Sequence, residues 1–160
     1  MVARLFAAMC LVWCSVIANR AASGLAQPHE LAQSGPPTLP AGEGRDLVMR
    51  LCTDCHALQV VVGQRRSLTE WENTIVTMLD RGVGGTDDEL KSVVRYLSRA
   101  FGEVNVNAVD SRNLQGVLEL TATVADALIK GRPYATLADL AKIPGIDSKV
   151  IETMKDRIVF

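Results

Sequence analysis

Cys52-Thr53-Asp54-Cys55-His56 carries the chemistry of this 160-residue chain. Two thiols at this spacing can reach both vinyl groups of one haem and form thioether bonds. The histidine directly after the second cysteine is then held under the macrocycle, where its imidazole binds the iron. C-x-x-C is equally the spacing of a dithiol redox pair, a disulfide or half of a zinc site. Zinc lacks partners, because outside the N-terminal run that holds Cys10 and Cys14 there is no third cysteine, and the only other histidine is His29. A thioredoxin-like pair expects a βαβ setting, and none is visible around the motif. One covalent haem c, attached through Cys52 and Cys55 and ligated by His56, is the expected cofactor.

Upstream, Leu5 to Ala18 reads LFAAMCLVWCSVIA without a charge, follows Arg4, and is too short to span a bilayer comfortably. With Gly24-Leu25-Ala26 as a small-x-small cleavage site, residues 1–26 read as a secretory signal peptide, the alternative being an uncleaved anchor. Cleavage leaves Cys52 and Cys55 as the only cysteines and 15 basic against 18 acidic side chains, a formal charge of −3 where the whole chain carries −1. The expected location is periplasmic or otherwise exported, which is where this kind of haem attachment is made, with no stable membrane span after cleavage. Residues 27–40, QPHELAQSGPPTLP, have no apolar period and read as a flexible leader. With 48% hydrophobic and 22% charged residues the rest is globular material, and the near-neutral balance gives no basic field for non-specific nucleic-acid binding.

Downstream of the leader, residues 41–102 read as three helices around the motif. The first is GRDLVMRLC, with Leu47, Val48 and Leu51 at helical spacing. The second opens on Ser67-x-x-Glu70, a capping box, carries Trp71, Ile75, Met78 and Leu79 on one face, and ends at Arg81-Gly82. The third opens on Thr86-x-x-Glu89, carries Leu90, Val93, Val94 and Leu97, and stops near Phe101-Gly102. About 60 residues of this kind bury too little area to hold together unaided, so a haem is expected to complete the core and the cofactor-free domain to be largely unfolded. Candidates for the second axial position are Met49, Met78, Met154, His29 and, more remotely, Lys91. Met49 shares the attachment helix, Met154 belongs to the following module and His29 to the leader. Met78 remains, either as the ligand or as an ordinary apolar filler on a helix face.

Ala41 to Phe101 resembles a class I-type mono-haem cytochrome c domain, and most closely the short type associated with periplasmic dehydrogenases. The shared pattern is C-x-x-C-H, then Gln64-Arg65, Glu70-Trp71, a methionine seven residues on, a glycine, an acidic cap and Tyr96-Leu97. The resemblance implies that Met78 is the distal iron ligand, supplied from a helix end because no extended methionine loop exists. It also implies that the terminal helices cross through Leu47, Leu51, Tyr96 and Leu97. Between motif and middle helix, Arg65 and Arg66 offer guanidinium groups for a haem propionate, or else stand as solvated charge before a cap. Trp71 can stack at the haem edge, donate its indole N–H to a propionate, or simply pack.

Residues 103–160 change character. SRNLQGVLELTATVADALIKG and ATLADLAKIPGIDSKVIETMKDRI, joined by Arg132-Pro133-Tyr134, each read as helix, tight turn, helix, repeating at about 28 residues and packing as one unit of four to five short helices. Asn105, Asn107, Leu114, Ala125, Arg132 and Ile143-Pro144-Gly145-Ile146 resemble the tandem helix-hairpin-helix module of exported competence-type DNA receptors and of an extrinsic photosystem II subunit. In the DNA-binding members each hairpin is Gly-hydrophobic-Gly, which lets backbone N–H groups meet a phosphate. Here the first hairpin is Leu118-Glu119-Leu120-Thr121, and the second has Asp147 in place of its second glycine. Seven basic and seven acidic residues over 104–160 give no excess of cations, although Lys142, Lys149, Lys155 and Arg157 can form a local patch.

The expected protein is thus all-α, with a small three-helix cytochrome c domain followed by a helix-hairpin-helix module. It is expected to be a one-electron carrier rather than an enzyme, serving a periplasmic redox protein or dehydrogenase, of which it can be a subunit. The second module is expected to dock or to brace, and nucleic acid is an unlikely ligand. The alternatives are a periplasmic DNA- or protein-binding protein with an accessory haem, and a haem-based gas sensor or peroxidase with an open iron position.

Overall fold

Two capping boxes set the frame. In the computed structural model, which describes residues 38–160, the Ser67 hydroxyl accepts from Glu70 N at 3.3 Å while the Glu70 carboxylate accepts from Ser67 N at 2.7 Å. Thr86 and Glu89 repeat the arrangement at 3.3 and 2.8 Å. They start α3 (Leu68–Asp80) and α4 (Asp87–Ala100) where the sequence places them. Before them come α1 (Arg45–Cys52) and α2 (Gln59–Val62), and after them α5 (Ser111–Leu118), α6 (Ala122–Lys130), α7 (Leu137–Leu140) and α8 (Ser148–Met154). Among the described residues the fold is all-α but for one two-residue parallel pair, β1 (Val104–Asn105) with β2 (Ile158–Val159). The expected signal segment, His29 and nearly all of the expected leader lie outside the described residues.

The first part holds one helix more than the three expected. The additional helix is α2, a single turn of QVVV, too short to show a period and rich in β-branched residues that do not announce a helix. α1 packs across α4, as the resemblance implies, and the Tyr96 hydroxyl donates to Pro40 O at 2.7 Å. Val48, Trp71, Ile75, Val93, Tyr96 and Leu97 form the first apolar cluster.

A second apolar cluster gathers Val104, Leu114, Val117, Leu128, Leu140 and Met154. Its two hairpins superpose in sequence at a spacing of 26 residues, not the 28 expected: α5 and α7 begin at 111 and 137, α6 and α8 at 122 and 148. The turn residues correspond as well, since Glu119 and Gly145 both have positive φ, at 58° and 91°. Thr121 and Asp147 both cap the helix that follows. Arg132 Nε donates to Val106 O at 2.6 Å, and Asn107 pairs with both the N–H and the C=O of Tyr134, each at 2.8 Å, so the linker between the hairpins is fastened to the segment that enters the module.

The clusters meet along α3 and α5. Asn113, 7% exposed, accepts from Thr69 N and donates to Thr69 Oγ1, both at 3.1 Å. Arg112 grips Glu72 through its two terminal guanidinium nitrogens, Nη1 and Nη2. Gly116 lies against Leu68 so closely that an added Cβ would stand 2.5 Å from its Cδ2. Arg66 N donates to Phe101 O at 3.2 Å and Glu103 N to Arg66 O at 3.1 Å, tying the entry to α3 to the exit from α4.

Asn113→Ala removes a buried acceptor and donor together and leaves the Thr69 amide without its partner, so it is expected to destabilise the chain by about 1–3 kcal/mol, read as a lowered Tm. Asp139, hydrogen-bonded to Lys142 and to the amide of Ala135, titrates at about 2 instead of 3.8. A depressed carboxylate stabilises the fold above its unfolded-state value and loses that contribution as the pH falls, here between 3.8 and about 2. Asp139→Asn is expected to flatten the fall of Tm across that window; Glu70 and Asp110, lowered by hydrogen bonds to Ser67 and Asn113, retain a residual slope of the same sign.

Candidate cofactor site

The motif straddles the end of a helix. Cys52 is the last residue of α1, Cys55 and His56 lie in the turn that follows, and Cys52 is half-buried while Cys55 is exposed. Both thiols are free. A reactive dithiol gains thiolate character from a helix N-terminus or a nearby cation. Cys52 has the opposite setting: it stands at the negative end of α1, and burial pushes its thiol above the ordinary value of 9.0. Among the described residues no three His, Cys, Asp or Glu side chains come together as a metal cluster.

Two cavities open beside the motif, of about 310 and 170 Å³. Both are walled by Cys52, His56, Ile75 and Met78; Cys55 lines the larger, and Trp71 the smaller. Trp71, Thr74, Ile75 and Met78 stand at i, i+3, i+4 and i+7 on α3, so a single helical stripe supplies one wall. Met78 sits in the last turn, where its carbonyl takes the amides of Arg81 and Val83 at 3.1 and 3.0 Å. The other candidates for the second iron position stand elsewhere: Met154 is wholly buried in the second cluster, Met49 is 40% exposed, and Lys91 lines a different depression.

The smaller cavity has a polar end. Trp71 is 3% exposed, and neither its indole Nε1 nor Arg66 Nε, both buried, has a hydrogen-bond partner. The Arg66 guanidinium lies 5.7 Å from the centre of the Trp71 ring. Both residues line the smaller cavity, and two buried donors without an acceptor are costly. Of the two arginines offered for a haem propionate, Arg65 is placed elsewhere: it donates to the carbonyls of Val62 and Gln64 and covers the ring of Phe101. Arg66 lines the cavity, together with Gln64 of the shared pattern and with Thr74, which the sequence did not single out. Thr74 was open to discovery through the helical spacing that links Trp71 to Met78.

These observations fit a haem. Thiols for two thioether bonds, an imidazole and a thioether sulfur line the same apolar space, and the unpartnered donors suit a propionate.

The second module offers less to a phosphate. Glu119 points its carboxylate at Arg99 Nε, 3.0 Å away, and lies 3.9 Å from Arg157. Asp147 spends its carboxylate on the amide of Val150 at 2.8 Å, so the N-terminus of α8 already holds an anion. Lys142 and Lys155 pair with Asp139 and Glu152, and Arg157 donates to the carbonyls of Val117 and Thr153.

Among known proteins, residues 99–159 match the helix-hairpin-helix motif family, and the match does not reach the C-x-x-C-H segment. No curated protein and no solved structure matches the chain. Residues 99–159 therefore carry a helix-hairpin-helix motif within an all-α chain, a motif associated with binding nucleic acid or protein. No described helix is long and apolar enough to cross a membrane.

Alkylation of Cys52 and Cys55 by iodoacetamide reads the state of the cofactor-free domain. If it is largely unfolded without haem, the two thiols are expected to react at similar rates; Cys55 reacting severalfold faster than Cys52, whose burial in the folded domain both shields the sulfur and holds its proton, would overturn that expectation.

Proposed function

We propose that the protein is an exported c-type cytochrome, a one-electron carrier with a single covalent haem that Cys52, Cys55, His56 and Met78 would hold. The observation that supports this reading most is that Cys52, Cys55, His56 and Met78 all line the larger of the two cavities, with Cys52, His56 and Met78 shared with the smaller. A haem bound there supplies an iron centre that changes its charge by one electron. The chain's own residues do the rest. Cys52 and Cys55 would anchor the group, His56 and Met78 would hold its iron, and Ile75, Leu51 and Val93 would keep water from it. Arg66 and Trp71, whose buried N–H groups lack acceptors, would donate to a propionate.

On this reading the partner is a periplasmic redox protein or dehydrogenase, and the chain transfers electrons without performing catalysis of its own. The helix-hairpin-helix module braces α3 and offers a docking surface. Binding of nucleic acid through that module is the second reading, favoured by the motif match at residues 99–159 and weakened by the acids at both hairpins.

The deciding experiment is optical. Ferrous, haem-loaded protein is expected to ignore carbon monoxide, while Met78→Ala binds it with a shifted Soret band. Free binding by the unaltered protein would remove Met78 from the iron and bring gas sensing or peroxidase-like chemistry forward. Haem that leaves the unaltered chain on denaturation would overturn covalent attachment. Retention of a DNA duplex by the full chain at low salt, lost at high salt, would move the second reading ahead.

A further inference from the structure

Beyond Met78 the chain turns back on itself. Met78 O accepts the amides of Arg81 and Val83, and Gly82 between them has a φ of 95°, the left-handed conformation that lets a helix end in so few residues. The turn brings Arg81 and Val83 to the wall of the larger cavity, beside Cys52, Cys55, His56 and Met78. Arg81 is the one permanently charged side chain on that wall, as Arg66 is in the smaller cavity, and among the described residues no carboxylate lines either. Asp54, inside the motif, and Asp80, next to Arg81, are exposed and line neither cavity. Arg81 itself pairs with no carboxylate among the described residues.

We propose that Arg81 raises the reduction potential of the haem site, its guanidinium favouring the ferrous over the ferric state. The inference rests on the cytochrome reading above and deepens it. One-electron reduction lowers the charge at the iron by one, so a fixed cation in the cavity wall costs the ferric state more than the ferrous. Arg66 does not act in the same way, because the propionate it would meet carries the opposite charge. Both propionates of a haem leave the same edge of the macrocycle, and α3, 13 residues and about 20 Å long, separates the backbone of Arg66 from that of Arg81. Arg81 is therefore the cation that the cofactor's own acids do not neutralise. A carrier tuned in this direction draws electrons from weaker reductants and passes them only to a stronger oxidant.

The test is a spectroelectrochemical titration of the full-length, haem-loaded protein. Arg81→Gln is expected to move the balance between the two iron states toward ferric by about two- to tenfold at low ionic strength. Because Arg81 is exposed, the shift should shrink in high salt. Arg81→Lys keeps the charge and should stay near the unaltered protein. Arg95→Gln removes an exposed arginine of α4 that lines neither cavity, and should leave the potential in place. An unchanged potential in Arg81→Gln, equal shifts in its Gln and Lys variants, or an equal shift in Arg95→Gln would overturn the proposal. So would a shift accompanied by carbon monoxide binding, which would trace the effect to loss of Met78 from the iron and not to charge. A pyridine haemochrome spectrum of the same samples separates the two failures. A chain without covalent haem overturns the cytochrome reading and this inference with it, whereas haem retained at an unmoved potential overturns the inference alone.

Discussion

The entry to α3 is the joint on which both halves of the molecule depend. Its first turn is gripped by Asn113 and Arg112 from the following module, and the residue before its cap, Arg66, is bonded through its backbone to the end of α4. The far end of the same helix presents Met78 to the space beside His56. A helix fixed at one end by buried, directional contacts carries its side chains as a rigid ruler. The span from the Asn113 clamp to the Met78 backbone is therefore set by the helix itself. Gly102 tightens the joint further, since a Cβ there would sit 1.9 Å from Ser98 O.

The local signals of the sequence were the legible ones. Both capping boxes, the stripe from Trp71 to Met78 and the hairpin turns depend on residues a few positions apart, and the helices begin where those patterns begin. What sequence could not settle was decided by contacts across the chain. Arg65 and Arg66 are neighbours with the same side chain, yet the pairing of Arg66 with Phe101 and Glu103 turns that residue toward Trp71 and leaves Arg65 over Phe101. The parallel pair near the two ends of the module is two residues long and leaves no alternation to detect. The 26-residue spacing emerges only once Glu119 is seen to adopt the left-handed conformation of Gly145.

That conformation says something about how the hairpins are used. A glutamate with φ of 58° carries roughly 1–2 kcal/mol of strain that a glycine would avoid. Its carboxylate meets Arg99 of α4 and approaches Arg157 near the C-terminus, so the first hairpin faces the chain's own cations. The second hairpin keeps its glycine and is left exposed, with its acid committed to the α8 cap. The duplicated units have thus diverged in chemistry while keeping one backbone, the first turned inward and the second outward.

The parallel pairing of Val104 with Ile158 and Asn105 with Val159 brings the entrance and the exit of the module side by side. A segment whose two ends coincide in space is topologically a closed loop on a single stem. It can be attached beyond a terminal helix without rerouting the elements before it, with Leu68 of α3 packing against its core. A chain continuing past Phe160 would emerge next to the point where α4 ends, so another domain fused there would stand beside the junction and not at the remote tip of the hairpins.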